Sequence, residues 1–152
     1  MRVTWYLVAN ASTARILETA KGPKPLTERK VLNHPEARSA RKDLKRDRPG
    51  MFRQKGTRPG AFVEQADARK HELEVFAREL ASELALGAVL HAYERLVIVA
   101  PAPLCALLRE FLSPAVQARI VHVVQRDYTK FPDDEVYRLL GRSMLLPAAN
   151  GA

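Results

Sequence analysis

The alternation of apolar and polar positions in the first third of the chain is typical of strands. Residues 2–9 and 14–19 are rich in β-branched, aromatic and aliphatic side chains, and a polar turn at residues 10–13 separates them. A turn this short joins antiparallel strands. Gly and Pro interrupt the chain at residues 22–25, and residues 28–32 form a weaker third strand. The pattern predicts a three-stranded antiparallel meander.

The clearest periodicity lies in residues 67–92, where apolar residues recur at steps of three and four. They are Leu73, Phe76, Leu80, Leu84 and Ala88. This spacing places them on one face of a helix. Asp67 suits the N-cap position, and the helix would be about 35–40 Å long at 1.5 Å per residue. The pattern predicts a long amphipathic helix that starts at Asp67.

Strands and helices alternate in the second half of the chain. The apolar run 96–100 is typical of a central strand covered on both faces. Residues 104–112, 119–125 and 133–145 follow as helix, strand and helix. This order implies a parallel βαβ crossover. The predicted fold class is α/β: a single mixed sheet, built from the N-terminal antiparallel meander plus parallel βαβ units and flanked by helices, which resembles the ribonuclease H-like arrangement.

The length and the apolar content together indicate one domain. The chain has 152 residues, of which 47% are hydrophobic, enough for a substantial core. We expect a single domain over residues 1–146 and a frayed tail at 147–152. Within the domain we expect a short helix at 37–44 and a basic loop at about 45–63, where no periodicity is visible.

Cysteine usage and the apolar runs bear on the compartment. Cys105 is the single cysteine, so no internal disulfide forms, which fits a reducing compartment. The apolar stretch at the N-terminus is too brief for a signal peptide. The run from 96 to 108 is interrupted by Pro101 and Pro103 and is too short to span a bilayer. We expect a cytoplasmic chain without membrane insertion, and the sequence leaves the oligomeric state open.

Positive charge is concentrated in one quarter of the chain. The net charge is +8, and residues 21–60 hold thirteen basic side chains against four acidic ones, a net charge of +9. Such a local excess attracts polyanions, and the glycines and Phe52 among the cations suit contact with phosphates and bases. The predicted nucleic-acid contacts are Arg38, Arg41, Lys42, Lys45, Arg46, Arg48, Arg53, Lys55 and Arg58.

The residues that could carry catalysis or hold a metal ion do not form a recognisable motif in the sequence. His34, His71, His91 and His122 fall on different predicted elements, and His122 occupies an apolar strand where a buried or half-buried histidine is typical. No serine lies in a Gly-x-Ser-x-Gly elbow. The first and fourth predicted strands hold no carboxylates for a two-metal nuclease. The sequence predicts no catalytic residue, no metal site and no cofactor.

An enzyme hypothesis remains, in which the pocket lies beyond the carboxyl ends of the parallel strands, where open α/β sheets bind ligands. Its candidate residues are Asn10, Ser12, Asp127 and Thr129. These residue types more often cap turns. Cys105, on the apolar side of its helix, is interpreted as a small core residue.

Several stretches, taken together, resemble one family. They are residues 5–16, 34–38, 47–50, 72–77, 96–101 with 104 and 108–109, and 127–129. In this order and spacing they resemble the bacterial host-attachment proteins, which are named for a requirement in attachment to host cells. The resemblance covers nearly the whole chain.

That family is similar to the middle domain of archaeal and eukaryotic peptide-chain release factors, a fold shared with components of the translation machinery. In those factors a Gly-Gly-Gln loop precedes a long helix. Here the corresponding loop contains Gly50, Gln54, Gly56 and Gly60 but no Gly-Gly-Gln, so peptidyl-tRNA hydrolysis is not carried over. The resemblance implies a noncatalytic module associated with RNA or the ribosome. The alternative is a protein-interaction or regulatory factor with an indirect role in attachment.

Overall fold

The computed structural model describes residues 2–20, 24–34 and 59–144, with side chains in the last range from residue 65 to residue 142. The strands in these ranges are β1 (Thr4–Ala9), β2 (Thr13–Thr19), β3 (Leu26–Asn33), β4 (Arg95–Val99) and β5 (Ile120–Val124). The helices are α1 (Pro59–Val89), α2 (Ala102–Phe111), α3 (Pro114–Gln117) and α4 (Asp133–Met144).

The described strands form one mixed sheet in the order β3-β2-β1-β4-β5. β2 pairs antiparallel with both β1 and β3, and β4 pairs parallel with both β1 and β5. α1 lies between β3 and β4 in the chain, and α2 and α3 lie between β4 and β5. The predicted fold class, a single mixed sheet with flanking helices, is confirmed.

Helices cover both faces of the central strands. Leu7 and Ile98 belong to a core cluster with Leu80 of α1, whereas Val8 belongs to a second cluster with Leu140 of α4. Successive side chains of a strand point to opposite faces, so a strand covered on both sides buries every residue. All six residues of β1 are buried, as are the residues of the run 96–100. The prediction of a central strand at 96–100 is confirmed.

Helix α1 is longer than the sequence pattern predicts. It contains 31 residues from Pro59 to Val89, about 46 Å at 1.5 Å per residue. Proline suits the first helical turn because its missing N–H would have no partner there. Asp67 therefore lies inside the helix, and the predicted start at Asp67 is wrong. Residues 59–63 of the predicted basic loop are helical.

The buried face of α1 is the predicted one. Phe76, Leu80, Leu84 and Ala88 are buried, and Leu73 is partly buried against the same cluster. Helical spacing alone identified these positions because one stripe of the helix faces the sheet.

A residue in the left-handed region ends α1. His91 has a φ of 54°, its N–H donates to the carbonyl of Ala88 (3.0 Å), and the N–H of Ala92 donates to the carbonyl of Gly87 (2.8 Å). These two bonds form a Schellman motif, in which glycine is the usual left-handed residue. The apolar pattern continued to residue 92, so it placed the end of the helix three residues too late.

Two further differences have local causes. The short helix α3 was not predicted; Pro114 starts it, and the Oγ of Ser113 accepts the N–H of Val116 (3.3 Å). His122 is exposed, not buried or half-buried, because β5 is an edge strand of the sheet. The predicted helix at 37–44 and the tail at 147–152 lie outside the described residues.

Trp5 fits against a position of α1 where no side chain is present. Its ring stacks on Tyr93 with the centroids 4.4 Å apart, and its Nε1 donates to Oε1 of Glu18 (3.2 Å). A Cβ atom on Gly87 would lie 2.7 Å from Cζ3 and Cη2 of Trp5 and 2.9 Å from Cε1 of Tyr93. The helix thus approaches the sheet closely only because residue 87 is glycine.

We expect Gly87→Ala to lower the free energy of unfolding by about 1–3 kcal/mol, the usual cost of overpacking. The loss occurs although alanine has the higher helix propensity. Denaturant unfolding measures it. In a Trp5→Phe background the smaller ring gives the new methyl group room, so the same substitution should cost less. An equal cost in both backgrounds would contradict the proposed contact.

Candidate functional site

The nine predicted nucleic-acid contacts, from Arg38 to Arg58, lie outside the described residues. We call residues 35–58 the basic segment; it holds nine basic and three acidic side chains. The chain leaves the described fold at His34, next to the end of β3, and re-enters it at Pro59, the first residue of α1. The described residues around His34 and Pro59 therefore form the base of the candidate site.

His34 is buried at the junction of the sheet and α1. Its side chain is only 4% exposed, and its Nε2 lies 2.9 Å from Oε1 of Glu72. A carboxylate only accepts, so Nε2 carries the proton and donates. Its Nδ1 lies 3.9 Å from Oε1 of Glu79, and its ring stacks on Phe76 with the centroids 5.1 Å apart. Three residues of one helix face thus fix the imidazole.

The two ends of the basic segment meet different parts of α1. Glu72 comes thirteen residues after Pro59 in the helix, which is about 20 Å along the axis at 1.5 Å per residue. A cleft of about 530 Å³ borders the His34 contact and is lined in part by Asn33, Arg78 and Ser82. The two described residues that flank the basic segment therefore differ in position: His34 lies beside the middle of α1, and Pro59 is in its first turn.

The sequence pattern did not predict the structural role of His34. A signal was present: Glu72, Phe76 and Glu79 are spaced by four and three residues, which puts them on one side of a helix. What the pattern did not show was that the end of β3 meets that side. This contact depends on the tertiary packing of two distant elements.

Two cations of the predicted basic region are neutralised by the fold. Arg29 pairs with Glu18 (3.0 Å), and its guanidinium lies 5.2 Å from the centroid of the Trp5 ring. Lys30 pairs with Glu83 of α1 (2.7 Å). Arg29 therefore makes its contacts within the sheet, and Lys30 joins the sheet to α1.

The predicted pocket residues are brought together at the carboxyl edge of the sheet. The Oδ1 of Asn10 accepts the N–H groups of Ser12 (2.9 Å) and Thr13 (3.0 Å), and its Nδ2 donates to Oδ2 of Asp127 (3.2 Å) and Oγ1 of Thr129 (3.0 Å). The Oγ1 of Thr129 donates to Oδ1 of Asp127 (2.6 Å). These bonds connect the turn between β1 and β2 to the loop after β5.

Hydrogen bonds stabilise the ionised form of Asp127. Burial on its own raises the pKa of this carboxyl, but the side-chain and backbone bonds from Thr129 and the bond from Asn10 outweigh it, and the pKa lies below its usual value. Asp127 is thus an acceptor held in its charged form. Its geometry suits a structural role in the loop better than proton transfer.

The carboxyl edge and the base of the basic segment are one connected region. The N–H of His34 donates to the carbonyl of Ser12 (2.9 Å). The Oγ1 of Thr13 donates to Oδ1 of Asn33 (3.0 Å). A continuous set of hydrogen bonds therefore runs from Asp127 through Asn10 and the β1–β2 turn to His34 and Glu72.

The described part of the chain shows neither a metal-binding cluster nor a membrane-spanning helix. Within residues 2–20, 24–34 and 59–144, no group of three or more His, Cys, Asp and Glu residues is placed to hold a metal ion. In the same ranges, no helix has the length and apolar character needed to cross a bilayer.

An α/β protein with a five-stranded mixed sheet and a strongly basic segment between β3 and α1 is the class that the fold and the sequence define. The family profile described as "Protein required for attachment to host cells" matches residues 5–140. The chain belongs to this family, and the membership indicates a role in host-cell attachment. A comparison with curated proteins finds no significant match.

We expect His34→Ala to lower the free energy of unfolding by about 2–3 kcal/mol, because it removes a buried hydrogen bond to a charged group and leaves Glu72 without that donor. His71→Ala is the matched control, since His71 is exposed and directly precedes Glu72. We expect the control to change stability by less than about 0.5 kcal/mol. Equal effects of the two substitutions would contradict the buried contact.

The stabilisation from Asp127 should depend on pH. Because its folded pKa is lowered, the contribution is complete above the unfolded pKa, near 3.9, and is lost as the pH falls through the folded value. Asp127→Asn should therefore be less stable than the parent at pH 7, by about 1 kcal/mol or less for so exposed a group, and the two should converge below about pH 4. Urea unfolding at several pH values measures the difference, and a difference that stays constant down to pH 2 would contradict the assignment.

Proposed function

We propose that this host-attachment family member is a noncatalytic module that binds RNA, free or within the ribosome, through the basic segment. The observation that carries the proposal is the distribution of charge. The basic segment has nine basic and three acidic side chains, a net charge of +6, whereas residues 59–144 have ten basic and twelve acidic ones, a net charge of −2. A cationic stretch on a nearly neutral body attracts polyanions to one place.

The contacts of the described cations support this distribution. Arg15 donates to the carbonyl of Phe131 (2.7 Å), and Arg119 donates to the carbonyls of Tyr93 (3.2 Å) and Ala115 (2.9 Å). Arg29 and Lys30 are paired with carboxylates. These four cations are thus used in internal contacts, whereas the nine cations of residues 35–58 have only three acidic residues in the same segment to pair with.

The chemistry of the basic segment suits phosphate contacts. Lysine and arginine neutralise phosphates and release the counterions condensed on the nucleic acid. Gly50 and Gly56 permit close approach of the backbone, and Phe52 offers a ring on which a base can stack. The sequence contains no Gly-Gly-Gln, so the proposed function is RNA binding and does not include peptidyl-tRNA hydrolysis. It also places the protein in the cytoplasm, where RNA is available.

The salt dependence of RNA binding tests the proposal. We expect a labelled single-stranded RNA to bind the parent protein, and the slope of log Kobs against log salt to become shallower by about 3.5 when Arg41, Lys42, Lys45, Arg46 and Arg48 are replaced by Gln. That figure is about 0.7 per phosphate contact for five contacts. Fluorescence anisotropy over a range of salt concentrations measures both slopes.

A variant with the same change in net charge serves as the control. Arg69, Lys70, Arg95, Arg126 and Arg142 are exposed and lie outside the basic segment. Their joint replacement by Gln should leave most of the affinity and most of the slope. Equal losses in the two variants would show that the total charge, rather than the basic segment, determines binding. RNA affinity unchanged by the first variant would reject the proposal.

A protein-interaction or regulatory role is the second candidate, and an exposed apolar group at the end of α1 favours it. Leu86, Val89 and Leu90 are 55%, 73% and 67% exposed, and their spacing puts them on one side of the helix. This candidate predicts capture of a protein partner that survives nuclease treatment and is lost when Val89 and Leu90 are replaced by Ser. Loss of every captured protein after nuclease treatment would favour RNA instead.

A further inference from the structure

A groove between α2 and the edge strand β5 has the composition of a small-ligand site. Its volume is about 300 Å³, which lies at the lower end of the range for ligand pockets. Ile98, Leu112, Ile120 and Val123 give it apolar walls, and Cys105, Arg109 and Gln117 add the polar groups. Mostly apolar walls with a few convergent polar groups are typical of sites that hold an amphipathic molecule.

The guanidinium of Arg109 is the charged group of this groove. Within the described residues it has no hydrogen-bond or ion-pair partner, in contrast to Arg15, Arg29 and Arg119. Arg109 lies in the last turn of α2, where its positive charge interacts favourably with the negative end of the helix dipole. This interaction is a sufficient structural reason for a cation at this position. That reason leaves its five donors open to an anion.

The thiol of Cys105 lines the same groove as the guanidinium of Arg109. Cys105 is buried, and its Sγ donates to the carbonyl of Ala100 (3.2 Å). Burial raises the pKa of the Cys105 thiol, and the positive charge of Arg109 and the bond to Ala100 oppose that rise. The guanidinium therefore acts on the interior of the groove and not only on the outer surface of the helix.

Hydrogen bonds from a side chain to main-chain carbonyls hold the rim of the groove. The Nε2 of Gln117 donates to the carbonyls of Leu112 (2.9 Å) and Arg109 (3.1 Å), which ties α3 to the last turn of α2. The wall beside Arg109 is thus formed before any ligand arrives. A preformed wall reduces the ordering cost of binding.

We propose that this groove binds a small amphipathic carboxylate, with its hydrocarbon part against Ile98, Leu112, Ile120 and Val123 and its carboxylate on Arg109. A planar guanidinium matches a carboxylate in a two-point contact. The volume sets the size: about ten non-hydrogen atoms fit in 300 Å³ at the roughly 30 Å³ that one water occupies in the liquid. Octanoate has this size and is the probe for the test.

Binding to the whole protein is measured by amide chemical shifts during titration with octanoate. We expect saturable shifts confined to α2, α3 and β5, with a Kd on the order of 1 mM or tighter. 1-Octanol, which has the same tail without the charge, should bind at least about tenfold more weakly, and octylammonium should not bind at the groove. Equal binding of octanol and octanoate, or shifts spread over the whole protein, would overturn the proposal.

Substitutions separate the charge from the apolar walls. Arg109→Gln should weaken octanoate at least about tenfold and leave octanol unchanged, whereas Arg142→Gln, on α4 and on the other face of the sheet, should change neither. Val123→Phe should fill the groove and abolish both. Octanoate should also slow alkylation of Cys105, the chain's single cysteine, in the parent but not in the Arg109→Gln variant.

Each variant is used only if its unfolding midpoint shows that it folds. Should Val123→Phe fail to fold, Arg109→Gln and the octanol comparison still decide, since both concern the charge alone. An unchanged octanoate Kd in Arg109→Gln rejects the site. The proposal does not depend on RNA binding, because the groove shares no residue with the basic segment.

Discussion

His34 is buried where the sheet meets α1, and a buried imidazole is stable only where its polar atoms find partners. Nε2 of the ring bonds to Glu72, and the backbone N–H of His34 bonds to the carbonyl of Ser12. The first bond fixes the end of β3 to the helix, and the second fixes it to the β1–β2 turn. Because the basic segment starts at the next residue, this contact fixes the described residue that precedes it.

The same region explains why the predicted pocket residues lie together without forming a reactive centre. The carboxamide of Asn10 has two acceptor positions and two donors, and all four are used. Its oxygen accepts the backbone N–H groups of Ser12 and Thr13, and its nitrogen donates to Asp127 and Thr129. An amide bonded in this way orients loops rather than substrates. The carboxyl edge of the sheet, which is the usual ligand position in open α/β folds, here joins the β1–β2 turn to the loop after β5 and to His34.

The sequence predicted the parts of the fold that depend on local periodicity. Within the described residues, the structure confirms the predicted strands, the long helices and the apolar face of α1, which follow from alternation, from helical spacing and, at 96–100, from a continuous apolar run. The ends of α1 were missed because Pro59 allows an earlier start and because His91 adopts a left-handed conformation usually given to glycine. The juxtaposition of Asn10 with Asp127 was anticipated from the parallel order of the strands. The contact of His34 with Glu72 was not, since it joins elements 38 residues apart that no local pattern relates.

The two proposed binding surfaces belong to different parts of the chain. The described residues that flank the basic segment, His34 and Pro59, lie at the end of β3 and the start of α1, whereas the groove lies between α2 and β5. Their chemistries also differ. Residues 35–58 offer many cations and little apolar surface, which suits a long polyanion whose affinity falls with salt. The groove offers one cation and several apolar walls, which suits a small ligand whose affinity depends on hydrocarbon burial and is less sensitive to salt. α1 follows the basic segment and packs against α2, which lines the groove, so the packing of these two helices is one physical connection through which one ligand can affect the other.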